Sequence, residues 1–284
     1  MSRKLRRWTA AAVQMTSTED RKKNLKSAGR LARQAAERGA DLIALPENFA
    51  YLRSEGSRIR FSEGLDGELG GWLAELAREL GCHLLAGSVP EKIPRRKRIY
   101  NTSLLFSPKG ERLAVYRKMH LFDIQLGGRV DFRESRTVAA GDQAVVVSTP
   151  LGRLGMSICY DLRFPEIYRH MALKGAQVLL VPSAFTAYTG RHHWMPLLQA
   201  RAIENLCWVI APAQVGRHTS RRRSHGHTAI LDPWGAVRGL REKGEGVVAA
   251  TIDLDRLDRI REGLPSLEHI RTELFRKPRR RKTR

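Results

Sequence analysis

The sequence predicts an α/β protein with a largely parallel or mixed β-sheet covered by helices. Two stretches carry that expectation. Near the start, short apolar runs alternate with helical patterns, as strand–helix units require. In the middle, Leu154, Met156 and Ile158 alternate in a strand that ends on Cys159. After it, Asp161 can cap and Phe164-Pro165-Glu166 can open a helix, since Pro suits a first turn and Glu favours its positive end.

Taken in order, Trp8 to Met15 reads as the first strand. A helix follows from Arg21 to Arg38, with Leu25, Ala28, Leu31, Ala32 and Ala35 on one face and Gly39 as its stop. Asp41 to Leu45 is a strand running into Pro46-Glu47-Asn48. Leu69 to Leu80 is a helix closed by Gly81, and His83 to Val89 a strand. Pro90 to Arg98 reads as a solvated basic connection. Ile99 to Phe106 and Arg112 to Tyr116 form a hairpin about Ser107-Pro108-Lys109-Gly110. Gln125 to Arg133 shows no periodicity and is expected to be a long loop. Ala144 to Thr149 is the strand before the central stretch.

Beyond Cys159, Ile167 to Lys174 is helical, Val178 to Val181 a buried strand, and Pro182 to Gly190 a loop able to overhang a site. Trp194 to Asn205 is a helix, Trp208 to Ala213 a strand, and Val215 to Thr228 a loop rich in Gly, Arg, Ser and His. Ala229 to Asp232, the turn Pro233-Trp234-Gly235, a last strand Gly246 to Asp253 and a helix Asp253 to Arg261 follow. An arm from Leu264 leads to the basic tail 276–284.

The 284 residues suffice for a full core, and 42% hydrophobic with 28% charged residues is globular composition. No window approaches 18 uninterrupted apolar residues, so no membrane helix is expected. The basic start runs too soon into strand pattern for a signal peptide or presequence. Cys82, Cys159 and Cys207 have no metal-ligand spacing; so sparse a set points to a reducing compartment, with the cytoplasm as default. The net charge of +22 admits nucleic acid, a membrane surface or acidic substrates as partners. No zinc-finger or aromatic-interleaved RNA-binding signature accompanies it, which leaves weak polyanion binding by the tail. His218, His225 and His227 lie among arginines without a grouped carboxylate or Cys, so no metal is expected.

Three residues are candidates for chemistry. Cys159, at a sharp strand-to-helix turn, is either an inert buried thiol or a nucleophile whose thiolate a helix N-terminus favours. Glu47 lies just past a strand's carboxyl end, where open α/β sheets place their sites, but an ordinary loop carboxylate reads the same way. Lys118 ends a strand and is either exposed or a fixed cation. His120 is read as structural.

Leu-Pro-Glu47-Asn, Tyr-Arg-Lys118-Met-His-Leu-Phe-Asp and Ser-Ile-Cys159-Tyr-Asp-Leu-Arg-Phe-Pro-Glu, in that order, resemble the Glu-Lys-Cys signature of the carbon–nitrogen hydrolase (nitrilase) superfamily. Phe185-Thr186, Ala202-Ile203-Glu204-Asn205 and Asp232-Pro233-Trp234-Gly235 extend the resemblance. The wording Leu-Pro-Ser-Leu-Glu-His-Ile-Arg is most similar to the Nit branch, which includes amidases of deaminated glutathione and ω-amidases, and favours the former.

The resemblance implies a four-layer α-β-β-α sandwich over residues 1–275, dimerising through a helical face, with the tail 276–284 outside it. It implies an amidase that needs no metal or organic cofactor. Cys159 is then the nucleophile, Glu47 the base and acid, Lys118 with the backbone N–H of Tyr160 the oxyanion stabiliser, and Glu134 an orienting second carboxylate. The expected partner is a small, anionic amide, and Arg163 and Arg191 are the candidate anion contacts. An ω-amidase, a carbamoyl-amino-acid hydrolase and an idle polyanion-binding scaffold are the competing readings. His192-His193-Trp194-Met195 replaces a usual Ala-His-Trp-Glu, and His225 a usual Tyr, which bears on substrate identity.

Overall fold

The computed structural model describes residues 5–54, 59–126, 130–220 and 222–271. Along the chain, β1 (Arg7–Met15) leads into α1 (Arg21–Ala36), capped by Asp20, whose side chain accepts from the Lys23 N–H. Next come β2 (Leu42–Ala44), α2 (Glu68–Leu80), β3 (His83–Leu85), β4 (Val89–Lys92), β5 (Ile99–Phe106) and β6 (Arg112–Arg117). β7 (Asp123–Leu126) and β8 (Val130–Arg133) precede a 3₁₀ turn over Glu134–Arg136. β9 (Val145–Thr149) and β10 (Gly152–Met156) precede another over Cys159–Arg163, which leads to α3 (Pro165–Leu173) and β11 (Val178–Leu180). α4 (Ala187–Asn205), β12 (Trp208–Ala211), β13 (Ala213–Arg217), β14 (Arg223–His225), β15 (Thr228–Leu231), β16 (Val237–Arg241), β17 (Gly246–Asp253) and α5 (Leu254–Gly263) complete the described chain.

The strands form two large sheets and one ribbon. The nine-stranded sheet runs β14-β13-β1-β2-β3-β5-β4, with β17 also on β1 and β6 on β5. The six-stranded sheet runs β16-β15-β12-β11-β10-β9. Side-chain alternation fixes their stacking. Trp8, Ala10 and Ala12 of β1 join a core with Leu154 and Met156 of β10, Leu180 of β11 and Ile210 of β12. Ala11, Val13 and Met15, pointing the other way, pack with Ala28 and Leu31 of α1 and Leu73 of α2. The second sheet shares its core with Ile167 and Met171 of α3 and with Leu198 of α4. The order of layers is therefore helices, sheet, sheet, helices, the sandwich expected from the family resemblance.

Several local expectations needed correction. Residues 125–133 are not one loop: β7 and β8 pair antiparallel from Asp123↔Arg133 to Leu126↔Val130, strands too short to show a period. The expected strand His83 to Val89 breaks at Gly87 (φ +24°) and resumes as β4, inside the supposed basic connection. The expected strand Trp208 to Ala213 is two strands in different sheets, the chain crossing between them at Pro212, which has no N–H to give to a ladder. The overhanging loop ends sooner than expected, because Thr186 accepts from the Thr189 N–H and starts α4 there. The loop over residues 215–228 contains β14 and most of β13, and β16 had no counterpart in the sequence reading. The basic tail 276–284 lies outside the described residues.

Candidate active site

Glu47, Lys118 and Cys159 each follow a strand end, those of β2, β6 and β10, and the stacking of the sheets brings the three together. The Lys118 ammonium donates to Glu47 Oε1 at 2.9 Å and to Glu134 Oε2 at 3.0 Å. Glu47 Oε2 accepts from the Ala184 N–H at 2.8 Å, so the loop after β11 holds the carboxylate from the other sheet. The Cys159 thiol lines the same space, where the charges of Glu47 and Lys118 both act on it. Glu47 and Lys118 are each 2% exposed, Cys159 and Glu134 7%.

The backbone around these groups is closely specified. Gly87 lies against the peptide ahead of Glu47: a Cβ there would stand 2.0 Å from the Pro46 carbonyl oxygen. Cys159 has φ +47°, a left-handed conformation unusual for a side-chain-bearing residue, and its N–H donates to the Pro182 carbonyl at 3.0 Å. Asp161, fully buried, accepts from the Ile158 N–H at 2.8 Å, the Tyr116 hydroxyl at 2.6 Å and the His120 N–H at 3.0 Å. His120 Nδ1 stands 2.7 Å from the same carboxylate. Asp161 thus ties the lysine arm to the cysteine turn, a role larger than the capping expected of it, and His120 is engaged there rather than with the thiol.

Electrostatics set the resting state. Burial favours a neutral Glu47, but the charge and hydrogen bond of Lys118 outweigh it and hold the carboxyl below the usual carboxylate range. Burial also opposes the Lys118 charge, yet the Glu134 and Glu47 carboxylates raise its pKa. The Cys159 thiol is pushed well above its ordinary value, first by burial and then by the Glu47 charge. The site rests as thiol, carboxylate and ammonium. This corrects the expectation of a thiolate favoured by a helix N-terminus: α3 begins only at Pro165, beyond the 3₁₀ turn. Such a site can donate a thiol proton to a carboxylate as the sulfur attacks, with a buried cation beside the reacting carbonyl. Tyr160, second in the 3₁₀ turn, lines the same space, and the first N–H groups of such a turn have no acceptor within it.

The cavity encloses about 860 Å³ including its open mouth. Asn101 on β5, which the sequence reading missed, donates to Glu47 Oε1 at 2.9 Å and to Glu134 Oε1 at 3.3 Å. It spaces the two carboxylates, and nothing local marks it out from its polar neighbours in Tyr-Asn-Thr-Ser. Arg163 and Arg191 do not line the cavity. Arg163 Nη1 stands 3.2 Å from His193 Nδ1 and its guanidinium lies over Phe185, while exposed Arg191 lies over Tyr188. Among the described residues, the arginines that line it are Arg53 and Arg222. Met195 packs against the core cluster that α3 and α4 share with the sheets and His225 stacks on His227 at 4.0 Å, so neither departure from the family pattern reaches the cavity wall. His218 meets the Ser17 carbonyl at 2.8 Å through Nδ1. Among the described residues, no three His, Cys, Asp or Glu side chains gather as metal ligands, and no helix is long and apolar enough to cross a membrane.

Comparison with known proteins adds an independent line. A family model described as carbon-nitrogen hydrolase matches residues 9–262. A deaminated glutathione amidase of Synechocystis is 46% identical over 267 residues, covering 92% of this chain and 97% of the relative. The crystal structure of the C. elegans NitFhit protein superposes with a TM-score of 0.88 at 38% identity, covering 97% of this chain and 67% of that one. A Glu-to-Gln mutant of an amidase from Nesterenkonia sp. AN1, bearing the acetamide moiety of fluoroacetamide on its active-site cysteine, superposes with a TM-score of 0.78 at 26% identity, covering 94% of this chain and 95% of that one.

Proposed function

The chain belongs to the carbon–nitrogen hydrolase family, and from that premise we propose that it cleaves a small, carboxylate-bearing amide through a thioester on Cys159, deaminated glutathione being the favoured substrate. The observation that carries the reading is the buried Glu47–Lys118 pair with Cys159 in the wall of the same open cavity. The substrate assignment draws on the relatives of that name.

Cys159 Sγ attacks the amide carbonyl while its proton passes to Glu47. The oxyanion is met by the Lys118 ammonium and the Tyr160 N–H, worth roughly a hundred- to a thousandfold in rate. Glu47 then gives the proton to the departing nitrogen, and the C–N bond breaks to leave a thioester. Water enters, loses a proton to Glu47, and attacks; the C–S bond breaks, the acid leaves, and the proton returns to sulfur. Glu134 keeps Lys118 charged and aimed. Every role falls to a side chain or N–H of this chain, so no cofactor enters the scheme.

Free Cys82, Cys159 and Cys207 are in keeping with a reducing, cytoplasmic setting. Half-exposed Ile203 on α4 and Trp234 in the turn between β15 and β16 supply apolar surface in keeping with a homodimer. The test is amine or ammonia release from deaminated glutathione, α-ketoglutaramate, a carbamoyl amino acid and a simple nitrile, by wild type and Cys159→Ala. Release from deaminated glutathione, lost in the variant, is expected. Preference for α-ketoglutaramate or the carbamoyl amino acid would move the substrate assignment. Silence on all four from folded protein, with a thiol that iodoacetamide does not label, would replace the enzyme reading with a binding role for the basic surface.

A further inference from the structure

We propose that Arg53 and Arg222 form a carboxylate seat in the cavity wall and so select substrates that carry an acid group; the proposal rests on the amidase reading above. The two residues come from distant parts of the chain. Arg53 follows the Glu47 loop, and Arg222 lies in the turn between β13 and β14. They meet because Arg222 Nη1 reaches the Arg53 carbonyl oxygen at 3.4 Å. Each is further positioned: Arg53 Nη2 donates to the Thr137 hydroxyl, and the Arg222 guanidinium lies 5.2 Å from the Phe132 ring centre.

The chemistry of the wall suits an anionic guest. Among the described residues, the charged side chains lining the cavity are Lys118, Arg53, Arg222, Glu47 and Glu134. Both carboxylates are held by Lys118 at hydrogen-bond distance. Arg53 and Arg222 thus bring two further guanidinium groups to a wall whose carboxylates Lys118 already holds. Burial and the neighbouring Arg222 charge both disfavour the charged form of Arg53, the mark of two cations confined together. Two like charges in one wall repel, and a carboxylate that accepts from both relieves that repulsion, a contact to which arginine's planar fork is suited. The Arg222 charge also reaches Glu47 and favours its ionised form, so the seat lies within electrostatic range of the proposed base.

The experiment compares kcat/KM for three simple amides: neutral butyramide, glutaramate with a carboxylate on the acyl side, and N-butyrylglycine with one on the amine side. For Arg222→Gln, the preference for one of the anionic amides over butyramide is expected to fall at least thirtyfold, chiefly through KM. The amide whose preference collapses identifies the side that is seated. Arg222→Lys, which keeps the charge without the fork, should recover part of the preference. A second readout is independent of turnover: glutarate or glycine carboxylates should shield Cys159 from iodoacetamide in wild type and not in Arg222→Gln. Unchanged selectivity with unchanged shielding overturns the seat. Shielding that depends on Arg222 in a protein that turns over no amide would uphold the seat and overturn the amidase reading instead.

Discussion

Replacing Lys118 with Met removes the charge that two buried carboxylates meet at hydrogen-bond distance, and its consequence can be worked through. At 2.9 and 3.0 Å, each ion pair is worth roughly 6 kcal/mol of attraction at an effective dielectric of about 20. Desolvation cancels part of this, and removing one partner of a buried pair typically costs about 3–5 kcal/mol. The variant can escape by taking up a proton on the Glu47–Glu134 pair, which makes the loss depend on pH. In wild type, the depressed Glu47 pKa gives stability that is present above the unfolded value and is lost as pH falls through the folded one. In the variant the pair loses its cation and burial raises its folded pKa. Its native state then holds a proton that the unfolded chain has released, so its stability falls as pH rises, by about 1.4 kcal/mol per unit, until that proton is lost. Urea denaturation at pH 5, 6.5 and 8 measures this directly. The gap between wild type and variant should widen with pH across that window. A gap below about 1 kcal/mol, or one that does not change with pH, would refute the buried pair as the organising contact.

Two other outcomes are expected. Asp161→Asn leaves one acceptor oxygen where Tyr116, Ile158 and His120 all donate, so at least one buried donor loses its partner; a loss of about 2–4 kcal/mol in urea stability is expected, and an unchanged midpoint would show that Asp161 does not tie the two arms. Glu47→Gln removes a charge that raises the Cys159 pKa while leaving Lys118, so the pH midpoint for iodoacetamide labelling at Cys159 should move down even as amide hydrolysis falls about a thousandfold; an upward shift would contradict the assigned electrostatics.

What the sequence made legible follows from where each residue sits. Glu47, Lys118 and Cys159 stand at strand ends with distinctive neighbours, so short local patterns marked them before any contact was known. α1, β1 and β17 were legible because long runs keep their period. Asn101 was not, since its importance lies in reaching across to Glu134 and Glu47 rather than in its neighbours. Arg53 and Arg222 were hidden among 51 basic residues, and only closure of the fold makes them adjacent. Arg163 and Arg191 lay in the right sequence neighbourhood, but aromatic faces and His193 hold them elsewhere. The change of sheet at Pro212 left no period to detect, because Trp208 to Ala213 is apolar without interruption across the crossing.

The pairing of β1 with β17, from Arg7↔Asp253 to Gln14↔Gly246, also bears on how the molecule is made. β1 leaves the ribosome well ahead of β17, its longest partner. At about 5–20 residues per second, a separation of some 240 residues keeps the apolar strand Ala10–Val13 waiting on the order of 12–50 s. During synthesis it can pair only with β2 and, later, with β13. The nascent chain therefore carries an unfinished sheet edge over that span, in which chaperone shielding and the rate of elongation bear on yield.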